Sequence, residues 1–147
     1  MPTESMEDYL KAIYILQQSQ EFARTGDVGQ MLGHKSSSVT EMFQKMAEQG
    51  YVIYKKYEGV QLTEKGREAA MAILERHAVL RDFLKILGLE EDIAEEDACG
   101  LEHHLHEETL KRLTKFVEFV QDSPREPRWL EHFREYYEHN KRPECRN

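Results

Sequence analysis

The sequence predicts a mainly α fold, in which an N-terminal winged helix-turn-helix is followed by an all-helical domain. Two features of the chain support this prediction. Up to residue 63, three short helical segments precede one β-rich stretch that contains a turn. From residue 64 onward, apolar residues recur almost throughout at the spacing of amphipathic helices. We therefore expect two domains, residues 1–63 and residues 64–147.

The first domain begins with three predicted helices. The apolar side chains of residues 5–18 lie close to helical spacing, and we expect Ser5 to cap this helix. A short second helix is predicted over residues 25–32. The third helix, over residues 36–49, has one apolar face and ends just before Gly50, a residue type that commonly follows a helix.

A β-hairpin is predicted after the third helix. Residues 51–63 alternate or are rich in β-formers, and Glu58-Gly59 separates the two runs as a turn. Helix, turn, helix with a polar N-terminus and then a hairpin is the element order of a winged helix-turn-helix. This order predicts binding to the major groove of DNA.

The third helix and the hairpin tip carry the candidate DNA contacts. The N-terminal residues of such a helix face the base edges, where small hydroxyl side chains allow a close approach. Lysines at a hairpin tip suit phosphate contacts. The candidates are Lys35, Ser36, Ser37, Ser38, Thr40 and Glu41 on the helix, and Lys55, Lys56 and Tyr57 on the hairpin. The alternative is that the serines only cap a helix and the lysines form a solvated turn.

Composition excludes several classes of protein. The net charge of −8 argues against nucleic-acid binding by bulk electrostatics, so any DNA contact needs a local basic surface. The chain has no run of 18 apolar residues and no secretory signal pattern, and its two cysteines, Cys99 and Cys145, are too few for a disulfide scaffold. We expect a cytoplasmic protein with reduced thiols and no membrane partner.

The second domain is predicted to contain four helices. The first is long, covers residues 64–87 and stops at Gly88. Residues 94–105 and 106–121 give two more, and residues 128–140 give a short last helix after a proline-containing break.

A cluster of potential metal ligands lies in the second of these helices. Cys99, Glu102 and His103 follow the i, i+3, i+4 spacing that places residues on one helix face. Thiolate, carboxylate and imidazole all bind first-row transition metals. Asp8 on the first helix and His77 on the long helix are the candidates to complete the site. Taken singly, each residue also fits an ordinary role, Cys99 as a small core residue and His77 as a satisfied core histidine.

Two functions from other classes stay open at this point. Cys-x-x-Glu-His resembles an inverted zinc-protease motif, but its first histidine is missing and no His-Glu-x-x-His occurs in the chain. The second alternative is a winged-helix module that uses no metal and binds a protein partner. Binding to a palindromic duplex that weakens with salt would separate DNA binding from this alternative.

With these segments placed, the sequence resembles the diphtheria toxin repressor family of metal-dependent transcription regulators, in particular its short manganese transport regulator-like branch. The resemblance extends from residue 5 to about residue 120. It is carried by SMEDYLKAIYIL, SSSVTEMFQKMAEQGYVIYKKYEGVQLTEKG, RHAVLRDFLKILGL and DACGLEHHL.

The resemblance implies a homodimer that represses metal-homeostasis genes and binds a palindromic operator when its metal is bound. It also implies that the helical domain is the dimerisation domain and that the protein is not an enzyme. The family takes its metal ligands from positions that correspond here to Asp8, His77, Cys99, Glu102 and His103.

Four positions depart from the patterns of the two branches. Lys11 stands where the manganese type has a further glutamate ligand, and Cys99 matches the iron-responsive branch. Arg81 and Glu95 stand where the longer iron-responsive members have a glutamate and a histidine at a second site. We therefore expect one well-formed site formed by Asp8, Cys99, Glu102 and His103, with His77 left open as a ligand. It would hold one divalent metal per subunit, Mn(II) or Fe(II), with Zn(II) or Co(II) able to bind in vitro.

Overall fold

The computed structural model describes residues 2–144 and divides into two compact units, one reaching to Arg76 and the other starting at His77. Cys145 lies outside the described residues. The helices and strands are α1 Glu4–Leu16, α2 Thr25–Leu32, α3 Ser36–Glu48, β1 Val52–Lys55, β2 Gly59–Leu62, α4 Glu64–Ile86, α5 Glu91–Leu101, α6 Glu107–Gln121 and α7 Arg128–His139. Among residues 2–144, no helix has the length and apolar character needed to span a bilayer.

The first unit has the element order of a winged helix-turn-helix. Its two strands pair antiparallel, with Val52 opposite Leu62 and Lys55 opposite Gly59. Residues 56–58 form the turn, so Gly59 opens β2 instead of belonging to the turn as predicted. Ala23 forms an additional antiparallel bridge with Val60 and holds the loop before α2 against the hairpin.

A glycine is required at the start of β2. Gly59 has a φ of +116°, and a Cβ placed there would lie 2.2 Å from the carbonyl oxygen of Ala23. The bridge between Ala23 and Val60 thus depends on the close backbone approach that only glycine allows.

The caps of α1 and α3 differ from the prediction. Thr3, not Ser5, is the N-cap of α1, and its Oγ1 accepts a hydrogen bond from the backbone N–H of Met6 at 3.3 Å. Lys35 is the N-cap residue of α3, and its side chain makes no capping hydrogen bond. The serines therefore lie in the first turn of α3, where their side chains are exposed.

The core of the first unit is built from one face of each helix and from the hairpin. Tyr9 and Phe43 lie at its centre with ring centroids 6.4 Å apart, edge to face, and Phe43 in turn contacts the ring of Tyr54. The other core side chains are at most 5% exposed. They include Met6, Leu10, Ile13, Val28, Val39, Met46, Val52, Val60 and Ile73. This core fixes α3 and the hairpin on α1.

The second unit is all-helical, and aromatic contacts join three of its helices. Phe116 on α6 lies 5.8 Å from the ring of Phe83 on α4 and 5.8 Å from that of Trp129 on α7. Leu80, Ala94, Ala98, Val117 and Leu130 are at most 5% exposed. This small core positions α4 and α5, which carry the candidate metal ligands.

The helix α5 is shorter at its C-terminus than predicted. It ends at Leu101, and Glu102 is its C-cap residue, still with α-helical backbone angles. His103 lies in the turn that follows, before α6 begins at Glu107. The predicted i, i+3 relation of Cys99 and Glu102 therefore holds, whereas the prediction that His103 continues the same helical stripe is wrong.

Candidate metal centre and nucleic-acid interface

His77 on α4 is held between two carboxylates of the α5 region. Its Nδ1 lies 2.8 Å from Oε2 of Glu102, and its Nε2 lies 2.6 Å from Oε2 of Glu95. The imidazole is 13% exposed and the Glu102 side chain is fully buried. Burial of a carboxylate is costly unless a partner or a metal ion compensates it, so Glu102 is a candidate functional residue.

Donor atoms of Cys99, Glu102 and His77 lie close together. One donor atom from each of the three residues lies within 4.8 Å of the other two. Ligands about 2.0–2.3 Å from one ion lie roughly 3.3–3.8 Å from each other, so small side-chain movements bring these three to one ion. Thiolate, imidazole and carboxylate form a donor set for a divalent first-row transition metal. Cys99 is exposed, which excludes the alternative of a core cysteine.

The remaining predicted ligands are His103 and Asp8. His103 Nε2 lies 3.6 Å from Oε1 of Glu102, on the carboxylate oxygen that does not face His77, and its side chain is 3% exposed. Asp8 is a partly buried residue of α1 in the first unit. The structure thus brings His77, Cys99 and Glu102 together, with His103 adjacent to Glu102.

Sequence reasoning missed the role of Glu95 beside His77. Its second carboxylate oxygen, Oε1, accepts a hydrogen bond from Arg81 Nη1 at 3.2 Å. The hydrogen bond with His77 and, less strongly, that with Arg81 hold the pKa of Glu95 below its usual value, although partial burial acts in the opposite direction. One signal was present in the sequence, because Glu95 precedes Cys99 by four residues and so shares its face of α5.

The predicted DNA contacts of α3 lie at the surface of the first unit. Lys35, the three serines at 36–38 and Glu41 are exposed, as a groove-binding face requires. Thr40 is half-buried, and its hydroxyl donates to the carbonyl oxygen of Ser36 at 2.9 Å. Thr40 therefore stabilises the first turn of α3 and has less freedom to contact a base than the serines.

The hairpin tip presents the predicted phosphate contacts. Lys55, Lys56 and Tyr57 are exposed, and the Tyr57 side chain is 93% exposed. Lys55 Nζ lies 5.2 Å from the centre of the Phe22 ring, and Lys56 Nζ lies 5.3 Å from that of Tyr57. These cation–π contacts orient both ammonium groups at the tip without neutralising their charge.

His34 is a residue of this surface that sequence reasoning missed. It lies in the turn between α2 and α3, and with Lys35, Ser38, Glu41 and Lys45 it lines a surface depression beside α3. Its Nδ1 lies 2.7 Å from the hydroxyl of Tyr9, whose pKa is raised by burial. A protonated phenol can donate to Nδ1, so this hydrogen bond ties the turn before α3 to α1.

We expect Tyr9→Phe to lower the free energy of unfolding by about 0.5–1.5 kcal/mol, because it removes a partly buried hydrogen bond and keeps the ring that contacts Phe43. Urea denaturation followed by circular dichroism measures this change. Tyr14→Phe, which removes a hydroxyl from the same helix, is the matched control and should change stability by less than about 0.5 kcal/mol. Equal stability of Tyr9→Phe and the unsubstituted protein would contradict a structural role for the hydrogen bond.

Family models match both halves of the chain. One, described as "Iron dependent repressor, N-terminal DNA binding domain", matches residues 1–60. The other, "Iron dependent repressor, metal binding and dimerisation domain", matches residues 63–131. The first match contains the winged helix-turn-helix, and the second contains His77, Cys99, Glu102 and His103.

Curated relatives match over most of their length. The HTH-type transcriptional regulator MntR of Geobacillus kaustophilus is 38% identical over 144 residues, which is 98% of this chain and 100% of the relative. The regulator of the same name from Listeria welshimeri is 42% identical over 124 residues, 84% of this chain and 87% of the relative.

Solved structures share the fold. One described as a manganese-dependent transcriptional repressor in complex with manganese is 35% identical, with a TM-score of 0.71, over 80% of this chain and 55% of its own. The manganese regulator SloR is 30% identical, with a TM-score of 0.68, over 81% of this chain and 55% of its own. The chain thus spans about half the length of these two structures.

The matches confirm the predicted fold class, a winged helix-turn-helix followed by a helical metal-binding and dimerisation domain. They also exclude the hydrolase alternative, because the family consists of regulators of transcription. The chain belongs to the iron-dependent repressor family, the metal-dependent regulators that the diphtheria toxin repressor typifies, and is a metal-dependent DNA-binding transcriptional repressor that forms homodimers, not an enzyme.

Proposed function

We propose that this repressor senses Mn(II) or Fe(II) with one ion per subunit, held by His77, Cys99 and Glu102, and that it controls genes of metal-ion homeostasis in the cytoplasm. The observation that carries the proposal is the convergence of these three donor groups on one point. His103, adjacent to Glu102, is a proposed fourth ligand. Asp8 is proposed as a further ligand on the family resemblance alone.

Residues 1–63 are proposed as the DNA-binding domain and residues 64–147 as the metal-binding and dimerisation domain. Two symmetric recognition helices require two half-sites about one helical turn, or roughly 34 Å, apart, so we propose a palindromic operator. Lys35, the three serines, Thr40 and Glu41 would face the bases, and Lys55, Lys56 and Tyr57 the phosphates. The exposure of nearly all these side chains supports the assignment.

Metal-dependent DNA binding is a coupling between two sites. Couplings of this kind typically change affinity about 5–150-fold, and operator DNA must tighten metal binding by the same factor. A bound ion would supply the positive charge that offsets the buried Glu102 carboxylate. The types of donor atom make the response selective among divalent ions. Carboxylate ligands suit manganese, whereas the thiolate of Cys99 favours Fe(II), Co(II) and Zn(II).

Metal-resolved operator binding tests this proposal. The metal-free protein is titrated anaerobically, at fixed salt, with Mn(II), Fe(II), Co(II) and Zn(II) against labelled DNA from its own upstream region. We expect at least one of these ions to raise affinity at least about fivefold, with loss of binding when one half of the inverted repeat is scrambled. Binding that no metal changes would overturn the proposal in favour of a metal-independent winged-helix module.

Cys99→Glu is expected to shift the preference of the centre toward Mn(II) relative to Fe(II), Co(II) and Zn(II), because it replaces a soft thiolate by a hard carboxylate. The measurement is the ratio of Mn(II) to Co(II) affinities, by competition with a chromophoric chelator. Cys99→Ser is the control for loss of the thiolate without gain of a carboxylate. An unchanged ratio in Cys99→Glu would show that Cys99 is not a ligand.

A further inference from the structure

Glu95 is bound on both of its carboxylate oxygens by groups of α4. Oε2 lies 2.6 Å from His77 Nε2, and Oε1 accepts from Arg81 Nη1 at 3.2 Å. Arg81 is in turn fixed by Asp82, whose Oδ1 accepts from Arg81 Nε at 3.2 Å. A continuous series of hydrogen bonds therefore runs from Asp82 through Arg81 and Glu95 to the imidazole of His77 in the candidate metal centre.

This series of hydrogen bonds determines which nitrogen of His77 faces Cys99 and Glu102 as a ligand. A carboxylate beside Nε2 favours the tautomer in which Nε2 carries the hydrogen, as in the carboxylate–histidine pairs of metal sites. When an ion is bound, the lone pair that coordinates it would then be on Nδ1, the atom that lies 2.8 Å from Glu102. Ligand histidines in proteins are commonly oriented by such an outer carboxylate, and its loss typically lowers metal affinity about 10–100-fold.

Arg81 also places a permanent positive charge beside the centre. A guanidinium stays protonated at all accessible pH values, unlike an imidazole or a carboxyl group. Glu95 and His77 alone would offer a carboxylate and an imidazole to a second ion next to the first. With Arg81 bound to Glu95, that carboxylate is already neutralised, and a second divalent cation is repelled.

We propose that Arg81 and Glu95 form a positioning pair that orients His77 toward a single divalent ion and prevents a second ion from binding beside it. The inference rests on the proposed metal site and adds what keeps a further ion from the side of His77 that faces Glu95. It assigns Glu95 and Arg81 a role outside the ligand set, since neither needs to touch the ion.

Stoichiometry tests the role of Arg81. Protein at a known subunit concentration is dialysed against Co(II), and the bound metal is measured by elemental analysis and by the visible absorption of Co(II). We expect one Co(II) per subunit for the unsubstituted protein and two for Arg81→Glu, which replaces the guanidinium beside His77 and Glu95 by a second carboxylate. Arg112→Glu is the matched control, because Arg112 on α6 also pairs with a glutamate, Glu108, at 2.9 Å. The Arg112→Glu protein should bind one Co(II) per subunit.

Affinity for the first ion tests the role of Glu95. Glu95→Ala should weaken Co(II) binding about 10–100-fold with a changed absorption spectrum, and Glu95→Gln, whose amide oxygen still accepts from Nε2, should restore part of it. Circular dichroism of the metal-free variants shows whether the fold is kept.

The outcomes separate this inference from the proposed function. An Arg81→Glu protein that binds no more Co(II) than the unsubstituted protein, or an unchanged affinity in Glu95→Ala, would overturn the inference and leave metal sensing intact. No bound metal in the unsubstituted protein would overturn both.

Discussion

Glu102→Gln is expected to abolish the metal response of DNA binding and to leave the fold in place. Glu102 is fully buried, with one carboxylate oxygen 2.8 Å from His77 Nδ1 and the other 3.6 Å from His103 Nε2. Glutamine has nearly the same size and shape, but its neutral amide is a much weaker ligand for a divalent ion. The variant thus removes the ligand charge without opening a cavity.

The affinity for operator DNA is measured by fluorescence anisotropy with and without metal. Adding metal should raise this affinity about 5–150-fold in the unsubstituted protein and leave it unchanged in Glu102→Gln. Glu96→Gln is the matched control, because it makes the same chemical change at an exposed position of α5. It should keep the full response. A Glu102→Gln protein that still bound operator in a fully metal-dependent manner would refute the assignment of Glu102 as a ligand.

The second large effect is expected at the hairpin tip. Lys55→Glu combined with Lys56→Glu should weaken operator binding at least about tenfold and lower the slope of log affinity against log salt by about two. The net charge of the chain is −8, so DNA binding depends on local positive charge at its contact surface. The exposed ammonium groups of these two lysines, oriented by Phe22 and Tyr57, provide such charge.

A matched charge change separates local from bulk electrostatics. Lys111→Glu combined with Lys115→Glu alters the net charge equally on the exposed face of α6. This control should leave the salt slope nearly unchanged. An equal loss of affinity in both double variants would show that only the total charge matters and that the hairpin does not contact phosphate.

Helix order and most helix bounds could be predicted from the sequence because they depend on local rules. Apolar spacing and a following glycine set the ends of α2 at Leu32 and of α4 at Ile86, within one residue of the prediction. Gly33 and Gly88 after these helices have φ values of +70° and +102°, which glycine adopts readily. The family resemblance, which depends on residue identities, was confirmed as well.

Local patterns failed where two residues compete for one role or where distant segments meet. Both Thr3 and Ser5 can cap a helix, and the backbone angles at Thr3 decided which of them does. The spacing of Cys99, Glu102 and His103 favours one continuous helix, but the chain leaves the helix after Leu101 and turns toward α6.

By itself, then, the sequence determined the order of the elements, the family and the candidate ligand types, since these follow from residue identity and spacing. Tertiary structure decided which side chains meet. It put His77 of α4 between Glu95 and Glu102, tied Arg81 to Glu95, and buried Glu102 completely while Cys99 stayed exposed. The physical reason is that burial and hydrogen-bond partners depend on how helices distant in sequence pack, and no periodicity within one helix contains that information.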